Sequence, residues 1–177
     1  MVNQKTNASV KTILKALSST RETVIQELDG LSDTQLNEKP RREKWSIVQN
    51  LHHLHLVEQA VTSGITYALH KSERKDVALK PVHLTADRTH KREVPDQMKP
   101  TETIMKREQI CTLLQSSRDK LFHMLHSVTD EQDLFEKSLQ HPVFGELSLY
   151  QWLEFLDLHE QRHLEQIQEA KRALLRK

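Results

Sequence analysis

A chain of 177 residues suits one domain spanning 1–177, and a domain of roughly 150 residues buries about 68–70% of its unfolded surface, enough for a core that folds without disulfide or metal. Three glycines and five prolines are too few for a sandwich or barrel, which needs a turn signal about every 8–12 residues, so composition leans all-α. Twenty-six basic against 25 acidic residues leave a formal charge of +1, which gives no field favouring nucleic acid or anionic lipid.

The first periodic segment runs from about Ser9 to Leu28, with Val10, Ile13, Leu14, Leu17, Val24, Ile25 and Leu28 at helical spacing before Asp29-Gly30. A second helix starts at Ser46, where Ser46 and Gln49 read as a capping box, and continues to about Leu69. Residues 71 to 100 are polar and carry Pro81, Pro95 and Pro100. They form a long connection of the kind that is often functional, here expected over the mouth of a site. A third helix is expected from about Thr103 to His126, and a fourth from Ser148, boxed by Gln151, nearly to the C-terminus. Four long amphipathic helices make a bundle.

A short internal echo joins the two halves. Leu31-Ser32-Asp33 to Lys39 precedes Trp45-Ser46-Ile47-Val48-Gln49, and Val128-Thr129-Asp130 to Lys137 precedes Leu147-Ser148-Leu149-Tyr150-Gln151. The second and fourth helices then occupy equivalent places in a pseudo-twofold bundle, unless two similar helix starts have arisen by chance.

The basic runs Arg41-Arg42 and Lys91-Arg92 fall in expected loops and read as solvated charge. Cys111 is the one cysteine and cannot form an internal disulfide; it reads as an apolar residue of the third helix. The N-terminal stretch has no apolar signal core, and no apolar run approaches the ~18 residues of a membrane span. The expected location is cytoplasmic, with no nucleic-acid or membrane partner and a homodimer as the expected assembly.

Histidine is over-used, with 11 copies, and imidazole is the commonest protein metal ligand. At about 100° per residue, His53 lies at the margin of the apolar stripe of the second helix, His52 points almost directly away, and His55 falls on a flank near His52. On the fourth helix His159 and His163 lie inside the stripe and stack one turn apart. Three imidazoles buried without a shared partner would leave polar nitrogens unpaired at about 1–3 kcal/mol each, a cost that one divalent metal ion removes. His53, His159 and His163 are therefore the expected metal ligands. His70, His83, His90, His123, His126 and His141 have no partner at ligand spacing. Glu160, on the buried side about 40° from the stripe centre, and Glu58, which also leans inward, are expected as a catalytic base or as partners orienting an imidazole, with a structural ion pair as the alternative. Asn50 is expected to hydrogen-bond within the core, and Trp45 and Trp152 to be core residues.

His159-Glu160-Gln161-Arg162-His163 matches H-E-x-x-H, but the metzincin pattern needs Gly and His where Gln166 and Glu169 stand, and little chain follows to supply a gluzincin carboxylate. A zincin protease is not expected.

Trp45-Ser46 followed by His53-Leu54 and Glu58, then His159, His163 and Gln166-Ile167, together with Leu31-Ser32-Asp33 and His141-Pro142 to Gly145, resemble the DinB/YfiT-like metalloprotein superfamily over nearly the whole chain. The resemblance implies an up-down-down-up four-helix bundle with a three-histidine metal site opening into a pocket at one end, and its tryptophan-to-histidine spacing selects His53. Members include thiol S-transferases. The chain departs from the YfiT-type transferases after the histidine pair, where it reads Leu54-His55-Leu56-Val57-Glu58 in place of an Asp and a further His.

Three imidazoles leave coordination positions open, as catalytic sites do. The leading expectation is a metal-dependent transferase using a small-molecule thiol, activated by the cation. Hydrolysis of another small substrate by activated water is the alternative, and a non-enzymatic metal-binding or stress-response protein is a third. Imidazole suits several metals, with zinc or nickel the leading expectations.

Overall fold

In the computed structural model, which describes residues 9–89 and 93–176, the four expected helices are present with two short helices between them. His90 and the Lys91-Arg92 run lie outside the described residues. The elements are α1 (Val10–Gln26), α2 (Asp33–Asn37), α3 (Ile47–Lys71), α4 (Arg107–His126), α5 (Gln132–Glu136), a hairpin of β1 (Ser138–His141) and β2 (Gly145–Ser148), and α6 (Leu149–Leu175).

Local chemistry sets most boundaries. Ser9, Ser32, Ser46 and Ser148 cap α1, α2, α3 and α6, each hydroxyl accepting a backbone N–H of the first turn. The expected box at Ser46 is complete. At Ser148 it is half formed, because the Gln151 amide instead pairs both backbone groups of Lys80, with Nε2 donating to the carbonyl at 2.8 Å. α4 starts at Arg107 and not near Thr103, since Asn37 binds the Met105 backbone from both sides and Asp33 takes the Arg107 N–H. The hairpin is not anticipated by periodicity: four-residue strands are too short to show it. It packs so close to α3 that a Cβ on Gly64 would meet Leu139 at 2.7 Å.

Side-chain pairs give the helix directions. Glu58 with Ser117, and His55 against the Leu113 backbone, run the same way along α3 and α4. Thr20 with Asp157 and Glu27 with Gln168 make α1 parallel to α6. Asn50 with His163 and His53 with His159 make α3 antiparallel to α6. The topology is thus up-down-down-up, and the 72–106 connection is the crossover that parallel α3 and α4 require. α2 and α5 stand at matching places in the two halves, where the echo lies.

The apolar core falls into two clusters. One gathers Leu17, Val61, Ile65, Leu121 and Leu153; the other gathers Val24, Leu28, Leu51, Leu54, Leu114 and Ile167. Among the described residues no helix is long and apolar enough to cross a membrane.

Candidate metal centre

α3 and α6 meet where His53 faces His159 and His163. Ring centroids are 4.8 Å apart for His53 and His163, 5.1 Å for His53 and His159, and 4.6 Å for His159 and His163. One nitrogen from each ring falls within a 4.8 Å cluster. The structure therefore brings together all three expected ligands. His52 turns away, its Nδ1 accepting the Thr101 N–H at 3.2 Å.

Hydrogen bonds fix which nitrogen His53 and His163 present. Asn50 Nδ2 donates to the Ser46 carbonyl at 2.9 Å, so Oδ1 faces His163 and accepts from its Nδ1 at 2.9 Å. His53 Nδ1 donates to the Met98 carbonyl at 2.7 Å. Both rings are left with an Nε2 lone pair directed inward, as a metal ligand needs. His53 Nε2 and His159 Nε2 lie 3.2 Å apart. A His159 N–H donating to His53 bridges that distance in the metal-free site, and a cation can take the proton's place; with one nitrogen of each ring within 4.8 Å of the others, the donor set fits one divalent cation. Met98 comes from the connection, which places it over the site as expected.

Burial, reinforced by His53 and by the cationic Arg162, pushes the His159 pKa down to about 3. Burial with the neighbouring imidazoles holds His163 well below its ordinary value, and burial lowers His53 too. All three are neutral at pH 7, the form that binds metal. A stability consequence follows for the metal-free protein. Between about pH 6.5 and 3 the unfolded chain protonates His159 and the folded chain does not, so the unfolded state binds more protons and stability falls with falling pH. The slope expected from His159 approaches 1.4 kcal/mol per pH unit, about one proton's worth. Urea midpoints of chelated protein between pH 7.5 and 5 measure it, with His159→Gln making the profile shallower while His53 and His163 keep their share of the slope; a midpoint independent of pH would contradict neutral burial.

Trp45 and Phe155 are half-buried and close the site. Trp45 stacks on His163 at 6.1 Å and tilts on His53 at 5.1 Å, so it covers two imidazoles and, contrary to expectation, belongs to neither apolar cluster. Phe155, one turn before His159, stacks on that ring at 5.4 Å. Phe155 was legible in principle from its i, i+4 spacing to His159. Buried His141, set aside for lack of a ligand-spaced partner, packs against Phe155 at 4.7 Å, its Nδ1 accepting the Val143 and Phe144 N–H groups. Trp152 is core, as expected, and donates to the Leu139 carbonyl. His55 corrects the helical wheel: it is 6% exposed and not on an outer flank, because α4 covers the side of α3 opposite α6.

Glu58 and Glu160 are buried as expected but meet arginines, not imidazoles. Glu58 accepts from Arg118 Nε at 2.7 Å, Arg21 Nη2 at 3.3 Å and the Ser117 hydroxyl at 2.5 Å. Glu160 accepts from Arg118 Nη2 at 2.6 Å and from Arg21 Nε. Among the described residues neither carboxylate hydrogen-bonds a candidate ligand. The groups that orient the imidazoles are the Asn50 amide and the Met98 carbonyl, and the second of these leaves no trace in a side-chain pattern.

An up-down-down-up bundle with three convergent Nε2 donors defines a class of helical proteins with a histidine metal site. The chain belongs to the DinB superfamily, whose family model matches residues 6–167. It is 35% identical over 150 residues to YuaE of Bacillus subtilis strain 168, covering 85% of this chain and 91% of that protein. The four-helix-bundle protein TT2238 superposes with a TM-score of 0.62 at 19% identity, over 91% of this chain and 99% of its own. YfiT of Bacillus subtilis does so with a TM-score of 0.63 at 17% identity, over 97% and 92%. These two likenesses concern the fold.

Proposed function

We propose that the chain is a cytoplasmic metal-dependent enzyme that holds one divalent cation, zinc or nickel, on Nε2 of His53, His159 and His163 and activates a small-molecule thiol for transfer to an electrophile. The observation that carries a cation-activated nucleophile is the engagement of Glu58 and Glu160 with Arg21 and Arg118, which leaves neither carboxylate to serve as a base and leaves activation of the thiol to the cation. A cation held there lowers the pKa of a thiol or water beside it and so supplies a nucleophile near neutral pH. The chain's own residues do the rest. Asn50 and the Met98 carbonyl keep the protons of His163 and His53 on Nδ1, and the faces of Trp45 and Phe155 shield the imidazoles from bulk water. Hydrolysis is the second reading, favoured by the likeness to YfiT, which is described as a probable metal-dependent hydrolase.

Cobalt-substituted protein titrated with a panel of low-molecular-weight thiols separates the two. Thiol transfer predicts a sulfur-to-metal charge-transfer band and faster conjugation to an electrophile, both absent in His159→Ala. Metal-dependent cleavage of an ester or amide, with no thiol perturbing the spectrum, would replace that reading with hydrolysis.

A further inference from the structure

Each of the four long helices contributes one charged residue to a buried ring at the waist of the bundle: Arg21 from α1, Glu58 from α3, Arg118 from α4 and Glu160 from α6. The ring obeys the pseudo-twofold. Arg21 directs Nε at Glu160 and Nη2 at Glu58, while Arg118 directs Nε at Glu58 and Nη2 at Glu160. Arg21 Nη1 also donates to the Leu114 carbonyl at 3.0 Å, and Arg118 Nη1 donates to the Leu17 carbonyl. Leu17 precedes Arg21 by one turn as Leu114 precedes Arg118, and Ser46 stands before Glu58 at the spacing of Ser148 before Glu160. The two halves of the core change places under the same relation: Leu54 and Ile65 correspond to Leu156 and Ile167, each pair split between the clusters on either side of the ring.

The metal site breaks this symmetry. At the positions matching His53, His159 and His163 the other half has Phe155, Val57 and Val61. Three ligands on one side of a symmetric waist need α3 and α6 held at one axial offset, to which the Asn50–His163 hydrogen bond contributes from the site itself. Glu160 lies between His159 and His163 on α6, and Glu58 follows His53 on α3. Sharing both carboxylates between the same two planar guanidinium forks fixes that offset directionally. We infer that Arg21, Glu58, Arg118 and Glu160 are positioning residues, a register lock that sets the convergence of His53 with His159 and His163 and so the affinity for the cation. This rests on the metal-site reading above.

The test uses zinc itself, with affinity measured by chelator competition and ligand geometry read from the cobalt d–d spectrum. Arg118→Lys keeps the charge but loses the fork. At a temperature where it is fully folded its zinc dissociation constant should rise about tenfold, and its cobalt spectrum should differ from wild type. A purely structural role predicts a lower melting temperature with affinity and spectrum unchanged, and that result overturns the lock. If Arg118→Lys does not fold, the apolar variant R21M/E58L/R118M/E160L, which leaves no charge unpaired, takes its place with the same two outcomes. Absence of zinc binding by the wild type would overturn the site and the lock together, whereas a variant that matches a binding wild type overturns the lock alone.

Discussion

His159→Ala and His163→Ala should each lower zinc affinity by at least about 100-fold, on the order of 3 kcal/mol, while His52→Ala stays within a few-fold of wild type. The size follows from comparison. Loss of a group that merely orients a ligand costs about 10–100-fold in metal affinity, and these substitutions remove the donor nitrogen itself. His53→Ala belongs with them, since its Nε2 lies 3.2 Å from that of His159. His52 is its chain neighbour and has the same chemistry, yet its ring is spent on the Thr101 N–H. The pair therefore isolates orientation from composition. Elemental analysis of protein purified in the presence of zinc, followed by chelator competition, makes the measurement. Equal metal loss from His52→Ala and none from His53→Ala would place the site on the wrong face of α3. The fold should survive all four substitutions, because the two apolar clusters do not depend on the ion.

The ligand set was readable because helix geometry converts spacing into direction. His159 and His163 share a face by number alone, and His53 separates from His52 by a single residue step of about 100°. The up-down-down-up order came from family resemblance, and only the paired contacts along the helices establish it here. The wheel for α3 assumed one buried face, but α4 and α6 cover different sides, so His55 is buried as well as His53. The wheel puts Glu58 and Glu160 inward, where they lie, but it shows that a side chain is buried and not what it meets. Their arginines come from α1 and α4, far away in sequence. The Met98 carbonyl is a backbone group on a non-periodic segment, and no residue pattern marks it.

Arg118→Met should destabilise the protein by about 3–5 kcal/mol, the cost of removing one partner from a buried ion network, against the roughly 5–15 kcal/mol that hold a domain together. Arg118 is 5% exposed, and its substitution leaves Glu58 at 3% and Glu160 at 2% sharing Arg21 as their one remaining cation, with the Ser117 hydroxyl still donating to Glu58. Glu58 loses the 2.7 Å bond from Arg118 Nε, Glu160 the 2.6 Å bond from Nη2, and the Leu17 carbonyl its side-chain donor. Two carboxylates deprived of water then repel each other across one guanidinium, and methionine supplies volume without charge. For a chain of this length the expected fall in melting temperature is roughly 6–20 °C. The exposed pair Lys99 and Asp96 provides the contrast, since Lys99→Ala should leave the midpoint in place. Removing all four charges together should recover much of the loss, because the penalty lies in the orphaned carboxylates and not in the absence of an attraction. Thermal unfolding of the chelated proteins at pH 7.5 compares the single and quadruple variants free of any metal contribution. A single variant as stable as wild type would mean that water reaches the ring, and the buried network at the waist of the bundle would have to be redrawn.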